Sequence, residues 1–269
     1  MDAVANTSRV SCGLAGFASV SLDVATVTAL RSHPGPPCDE PLPVSTLKHL
    51  DEQTLTALVA IARARQTWQV SGPFTHWGLV AAPRYLGRAT AGPSLARFFS
   101  EGAWGVSPHI VPHRSLHSLS GTASQVLHLQ GPNLGVGGSP GCEAEALLAA
   151  LTLLRHDSLP GIWLLLSRIE PELPPCDNRP HPHAQCQAIA LALVPNLASA
   201  PAGQLEFYLQ ASDSWPPFSF DLLLSWWQGG EEPLLASLLS VGQIRLVKGQ
   251  PLPVWPIPGS VPVDGQVRS

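Results

Sequence analysis

Apolar residues recur along the chain in two periods, and the two alternate. Val10 to Phe17 is a short apolar run with Gly13 and Gly16 at its bends, which reads as a strand. Asp51-Glu52-Gln53 opens an amphipathic stretch that runs to about Arg65, with Leu55, Leu58, Val59 and Ala62 on one helical face. Trp77 to Ala82 reads as a buried strand, and Pro93 to Ser100 as a short helix with Phe98 and Phe99 turned inward. Ser120 to Leu129 predicts another helix. After the turn Gly131-Pro132-Asn133, Leu134 to Val136 predicts a short buried strand. A glycine-rich corner follows, Gly137 to Gly141. Cys142 to Arg155 then predicts a helix, with Ala144, Leu147, Leu148, Leu151 and Leu154 along one face. Gly161 to Leu166 and Gln187 to Val194 read as buried strands, and Leu205 to Leu209 is placed as hairpin partner of the latter. Such alternation of strands and helices predicts a layered α/β domain.

The character changes after Ser212. Trp215-Pro216-Pro217 is a break, Phe220 to Trp227 predicts a short apolar helix, and Pro233 to Leu239 predicts a second. Proline recurs every few residues from Pro251, so that tail is expected to be extended. Arg31 to Pro43 holds five prolines and one glycine and reads as a loop. The division implied is 1–210 as the main domain and 211–269 as a short helical and proline-rich extension.

Composition sharpens this picture. Net charge is −4 and pI about 6.2, and no Lys/Arg cluster is present, so nucleic acid is not an expected partner. Charged residues make up 13%, half the roughly 25% of ordinary soluble domains. With eight Trp and a positive mean hydropathy, that predicts apolar surface for a protein partner to cover. The five Cys (Cys12, Cys38, Cys142, Cys176, Cys186) are odd in number and show no C-x-x-C, which fits a reduced, cytoplasmic chain. The N-terminus lacks a basic start, and Asp23 interrupts its apolar stretch, so no signal peptide is expected. The apolar run from Ala144 to Leu166 is broken by Arg155, His156 and Asp157, so it predicts no membrane span.

The segment from Gly131 to Leu147 carries the candidate chemistry. Strand, sharp turn and helix is a way of holding a reactive side chain at the tip of a sheet. Gly137-Gly138-Ser139-Pro140-Gly141 fits G-x-S-x-G, yet a proline after the Ser removes a backbone N–H that an oxyanion hole would use. Only Asp157 or Asp177 followed by His181 or His183 could complete such a triad. Cys142 sits at a helix start, where the dipole favours a thiolate, but Glu143 and Glu145 oppose it. His109, His113 and His117 recur every four residues, a spacing that could line up metal ligands on one helix. Pro108 and Pro112 argue against that helix. Cys176, His181, His183 and Cys186 could hold zinc, although their spacing matches no common finger. The corner also lacks the third glycine of G-x-G-x-x-G, so no dinucleotide is expected, and no other cofactor or metal either.

The block from Gly131-Pro132-Asn133 to Ala146-Leu147 resembles the β-ketoacyl synthases, enzymes of the thiolase-like fold. Their pattern is Gly-Pro-Asn, a few apolar residues, an elbow carrying the acyl-accepting Cys, then a helix with Ala-Leu in its second turn. The two blocks align without a gap, which puts Pro140 where the family has its Cys and Cys142 two places later. The run from Phe98-Phe99 to Gly131 and the strand Gln187 to Val194 are similar to the family as well, so the resemblance covers roughly Arg9 to Gln210, the N-terminal half of a synthase. The two further groups a ketosynthase needs, usually His in the C-terminal half, have no counterpart, since the last histidine here is His183. The resemblance therefore implies an α/β/α thiolase-like half, with Ser139, Pro140 and Cys142 forming a degenerate elbow. It further implies a non-condensing subunit, similar to the inactive chain length factors, that pairs with an active ketosynthase and meets an acyl carrier protein indirectly, in fatty acid or polyketide biosynthesis. In the family the stretch with His109, His113 and His117 runs at the subunit interface, and the strand beside the elbow joins the two subunits. The alternative is a stand-alone acyltransferase or thioesterase using Cys142 or Ser139.

Overall fold

The computed structural model describes residues 9–31, 47–68, 73–156, 159–172, 183–195, 200–209, 214–230 and 232–249. Strand β1 (Arg9–Asp23) leads into α1 (Val24–Leu30), and α2 (Glu52–Trp68) precedes β2 (Gly78–Pro83). Then come α3 (Arg88–Glu101), a 3-10 turn (Gly102–Gly105), α4 (Ile110–Arg114), α5 (His117–Val126) and β3 (Asn133–Gly135). The remainder is α6 (Cys142–His156), β4 (Ile162–Glu170), β5 (Gln185–Val194), β6 (Gly203–Tyr208), α7 (Phe220–Gly229), β7 (Leu234–Leu238) and β8 (Gly242–Lys248).

The strands form one sheet in the order β3-β2-β4-β5-β1-β6-β8-β7. β2 runs parallel to β3 and β4, and every other pairing is antiparallel. Side chains alternate across the sheet, so each central strand feeds two cores. Along β5, Ala188, Ala190 and Ala192 face one core while Ile189, Leu191 and Leu193 face the other. The small residues let α2 lie close on its side, where Leu55, Leu58 and Ile61 meet Trp163, Leu165 and Leu119 of α5. The large ones fill the opposite core under α6 and α7, with Leu147, Leu151, Leu154, Leu223 and Trp226. Helices on both faces of one sheet give the expected α/β/α layering.

Polar side chains set the helix starts. Buried Asp51 caps α2, accepting from the Thr54 backbone N–H at 2.9 Å and the Thr54 hydroxyl at 2.6 Å. Ser219 caps α7 by accepting from the Leu222 N–H at 3.3 Å.

Four expectations need correction. Pro233 to Leu239 is not a helix: Leu234, Ala236 and Leu238 alternate inward in β7, which pairs with β8. Leu205 does not pair with the Gln187 strand, because β1 lies between β5 and β6 and pairs with both. The strand at Leu134 is not buried; it is the sheet edge, and Leu134 is exposed. Phe98 and Phe99 do not turn inward: α3 packs chiefly against the 3-10 turn that follows it, so both rings stay exposed. The loop from Arg31 to Pro43, the tail from Pro251 and the boundary at 210 fall largely or wholly outside the described residues.

Candidate functional site

The elbow is built where the parallel strands end. The Leu79 N–H donates to Pro132 O at 2.8 Å and the Val136 N–H to Ala81 O at 2.8 Å, which ties β3 to β2. Asn133 holds the turn from within, its amide donating to Ser120 O at 3.2 Å. Its Oδ1 is buried with no hydrogen-bond partner among the described residues. Beyond β3 the chain reverses through Gly137, Gly138 and Gly141, all at positive φ, which is why glycine fills the corner. Ser139, Pro140 and Gly141 are exposed at its tip. The Cys142 N–H then donates to Ser139 O at 3.4 Å and the Ala144 N–H to Gly141 O at 3.0 Å, opening α6.

Cys142 points the other way from that tip. It is 0% exposed and packs among Ala146, Leu147 and Val80. Burial pushes its thiol up to about 12, and the carboxylates of Glu143 and Glu145 add to the rise. A helix N-terminus does not lower the pKa here, because desolvation outweighs the dipole. Among the described residues no imidazole or carboxylate hydrogen bonds to the Ser139 hydroxyl. Of its possible triad partners, Asp157, Asp177 and His181 lie outside the described residues, and His183 is exposed ahead of β5.

Charged groups gather beside the corner, at the ends of β2 and β4. Arg168 is 6% exposed, and its guanidinium donates to both oxygens of Asp221, at 2.9 and 2.5 Å. It also donates to Gln187 Oε1 at 2.8 Å and lies 4.4 Å over the Phe220 ring. The Arg168 hydrogen bond holds the Asp221 carboxyl below its usual range. This pair fastens the start of α7 to β4. Arg84 bonds Glu172 at 2.5 Å.

The histidines separate. His109 precedes α4, His113 lies within it, and His117 begins α5 after a break at Ser115, so the three share no helix face. His109 and His113 stack with His49, at 5.5 and 5.4 Å between centroids. Burial, then Lys48 and the neighbouring imidazoles, lowers the His49 pKa. His117 instead bonds the Ser120 hydroxyl through Nδ1 at 2.8 Å. His49 carries no sequence signal, being one polar residue in the turn before α2. Among the described residues no group of three His, Cys, Asp or Glu could hold a metal. Of the proposed zinc set, Cys176 and His181 are outside the described residues, and Cys186 is buried within β5. No described helix is long and apolar enough to cross a membrane.

No protein-family model matches the sequence, and no curated protein matches it. Solved structures do match. One belongs to a type II polyketide synthase acyl-carrier protein in complex with its ketosynthase (AntDE:AntF). It has a TM-score of 0.52 and 13% identity over 76% of this chain and 70% of that one. Another belongs to the ketosynthase ApeO in complex with its chain length factor ApeC, from Xenorhabdus doucetiae. It has a TM-score of 0.52 and 17% identity over 90% of this chain and 97% of that one. The chain has the fold of the β-ketoacyl synthases. At these identities the likeness is one of fold. Pro140 lies on the exposed tip of the corner.

Proposed function

We propose that the chain is a catalytically degenerate, chain-length-factor-like subunit that acts beside an active ketosynthase in polyketide or fatty acid biosynthesis. The elbow carries this reading. Proline has no nucleophile to offer at the acyl-accepting place. The nearest thiol, on Cys142, is fully buried and stays protonated at neutral pH. Nucleophile, base and oxyanion donors act as a unit, and the elbow supplies the turn without the reacting groups. The likeness of fold to a chain from a ketosynthase and chain length factor complex supports the reading as well.

The test is a condensation assay with malonyl- and acyl-carrier substrates. The chain alone is expected to give no product, and its addition is expected to change the products of a co-expressed ketosynthase. Turnover by the pure chain that disappears in Cys142→Ala or Ser139→Ala would replace this reading with the acyltransferase or thioesterase one.

A further inference from the structure

Three imidazoles from two distant parts of the chain meet beside the start of α2. His49 comes from the turn before that helix, His109 from just before α4 and His113 from within it. His109 and His113 lie 6.2 Å apart between centroids, and the interplanar angles of the three pairs are 12°, 20° and 29°. Elsewhere α4 packs chiefly on α5. The stack, with the 4.0 Å approach of Arg114 to Glu52, is what joins α4 to the turn and first residues of α2.

The surroundings suit neutral rings. Lys48 and Arg114 both oppose a proton on His49, as do the two other imidazoles. The carboxylates nearby are already engaged. Glu52 faces Arg31 at 2.5 Å and Arg114 at 4.0 Å, and buried Asp51 accepts from Thr54. His113 Nδ1 is buried with no hydrogen-bond partner among the described residues. As a bare acceptor it costs little, but a proton there would bury a charged donor without an acceptor. A second imidazolium would stand within about 6 Å of the first and of no spare carboxylate.

We propose that His49, His109 and His113 form a proton-operated latch: neutral, they stack and hold α4 against the turn before α2, and protonated they repel and release it. The sign follows from the lowered His49 pKa. A histidine that titrates lower when closed than when released supports the closed form above about pH 6.5 and loses that support as pH falls below it. Each pH unit below that value shifts the balance toward release by up to about tenfold per proton taken up. The latch stands independently of the chain-length-factor-like reading.

Hydrogen exchange with mass spectrometry on the full chain, at about pH 7.5 and about pH 5.5 and corrected for intrinsic rates, reads the release. Peptides spanning 109–115 should lose protection about fivefold or more at the lower pH and regain it on return. Peptides from β4 and β5 should keep theirs. His49→Phe with His113→Phe keeps two stacking rings and removes their protons, so the acid response should disappear in that variant. His49→Lys fixes a charge in the stack and should leave the same peptides weakly protected at both pH values, while its β4 peptides match the wild type. Equal protection of 109–115 at the two pH values in the wild type would overturn the latch. An undiminished acid response in the double Phe variant, or loss of the β4 and β5 protection in step with that of α4, would overturn it too.

Discussion

Alkylation of Cys142 tests the proposed degeneracy of the elbow most directly. Its thiol is pushed up to about 12. At about pH 8 roughly one molecule in ten thousand then carries the thiolate, against about a quarter for an exposed thiol of ordinary pKa. Ionisation alone therefore slows reaction with iodoacetamide by roughly a thousandfold or more. Access slows it further, because a sulfur in a residue 0% exposed reacts only when α6 lifts from the sheet. The assay follows the native protein over time and maps the labelled peptides by mass spectrometry. Each rate is divided by the rate in urea. Cys12 and Cys186 are also raised to about 12 and act as internal references. All three ratios should fall together, below about one in a thousand. Labelling of Cys142 within tenfold of its unfolded rate, with Cys12 and Cys186 protected, would mean a reactive thiol at the elbow and would refute the reasoning.

Three further outcomes follow from named contacts. Because Cys12, Cys142 and Cys186 sit near 12 when folded and near 8.5 when unfolded, the folded state binds more protons between those values. Stability should thus be full below about pH 8.5 and fall as pH rises toward 12, and Cys142→Ala should make that fall shallower in urea titrations. Arg168→Ala should cost about 2–3 kcal/mol, through the lost pair with Asp221 and the lost contact on Phe220. Asp221→Ala should cost at least as much, because it leaves the Arg168 guanidinium, whose side chain is 7% exposed, without its carboxylate; a loss well under that of Arg168→Ala in denaturation would contradict the geometry. Gly87→Ala should destabilise by about 2 kcal/mol or more in urea denaturation, through its positive φ and the approach to Arg114 O.

The central layers were legible because their signals are strong. Apolar runs such as Ile162 to Leu166 and Ala188 to Val194 have few ways to be buried, and the α2 and α6 stripes repeat over several turns. Pro233 to Leu239 misled because seven residues containing four leucines fit a helix and a strand equally, and only pairing with β8 decides between them. The partner of Leu205 was hidden because it lies on β1, far away in the chain, and periodicity carries no strand order. The inward placement of Phe98 and Phe99 used the rule that apolar side chains go inside, which holds only in one direction. At the elbow, the turn and the helix start were readable from glycine and the apolar stripe. Which way the Cys142 side chain points was not, because a helix-start residue can face the tip or the core.

The residues after Ser212 bear on where the proposed partner would sit. Half of a thiolase-like unit would leave one sheet face and its covering helix without a second half to pack on. In this chain α7 and the β7–β8 hairpin take up part of that face. Phe220, Leu223 and Trp226 enter the same core as Leu147 and Leu151 of α6, and β8 continues the sheet beyond β6. The Trp227 ring stacks on Phe17 at 3.7 Å, and Lys248 donates to Trp227 O at 3.0 Å while lying near both tryptophan rings. These contacts give the α6 side of the sheet a cover made by the chain itself. Among the described residues, the largest apolar side chains left exposed are instead Phe99 in α3 and Trp104 in the 3-10 turn after it. Low charge across the whole sequence predicted a partner but not its place. The distribution of exposed aromatics moves the expected dependence from the sheet face to these two side chains, so the isolated chain should keep a folded core.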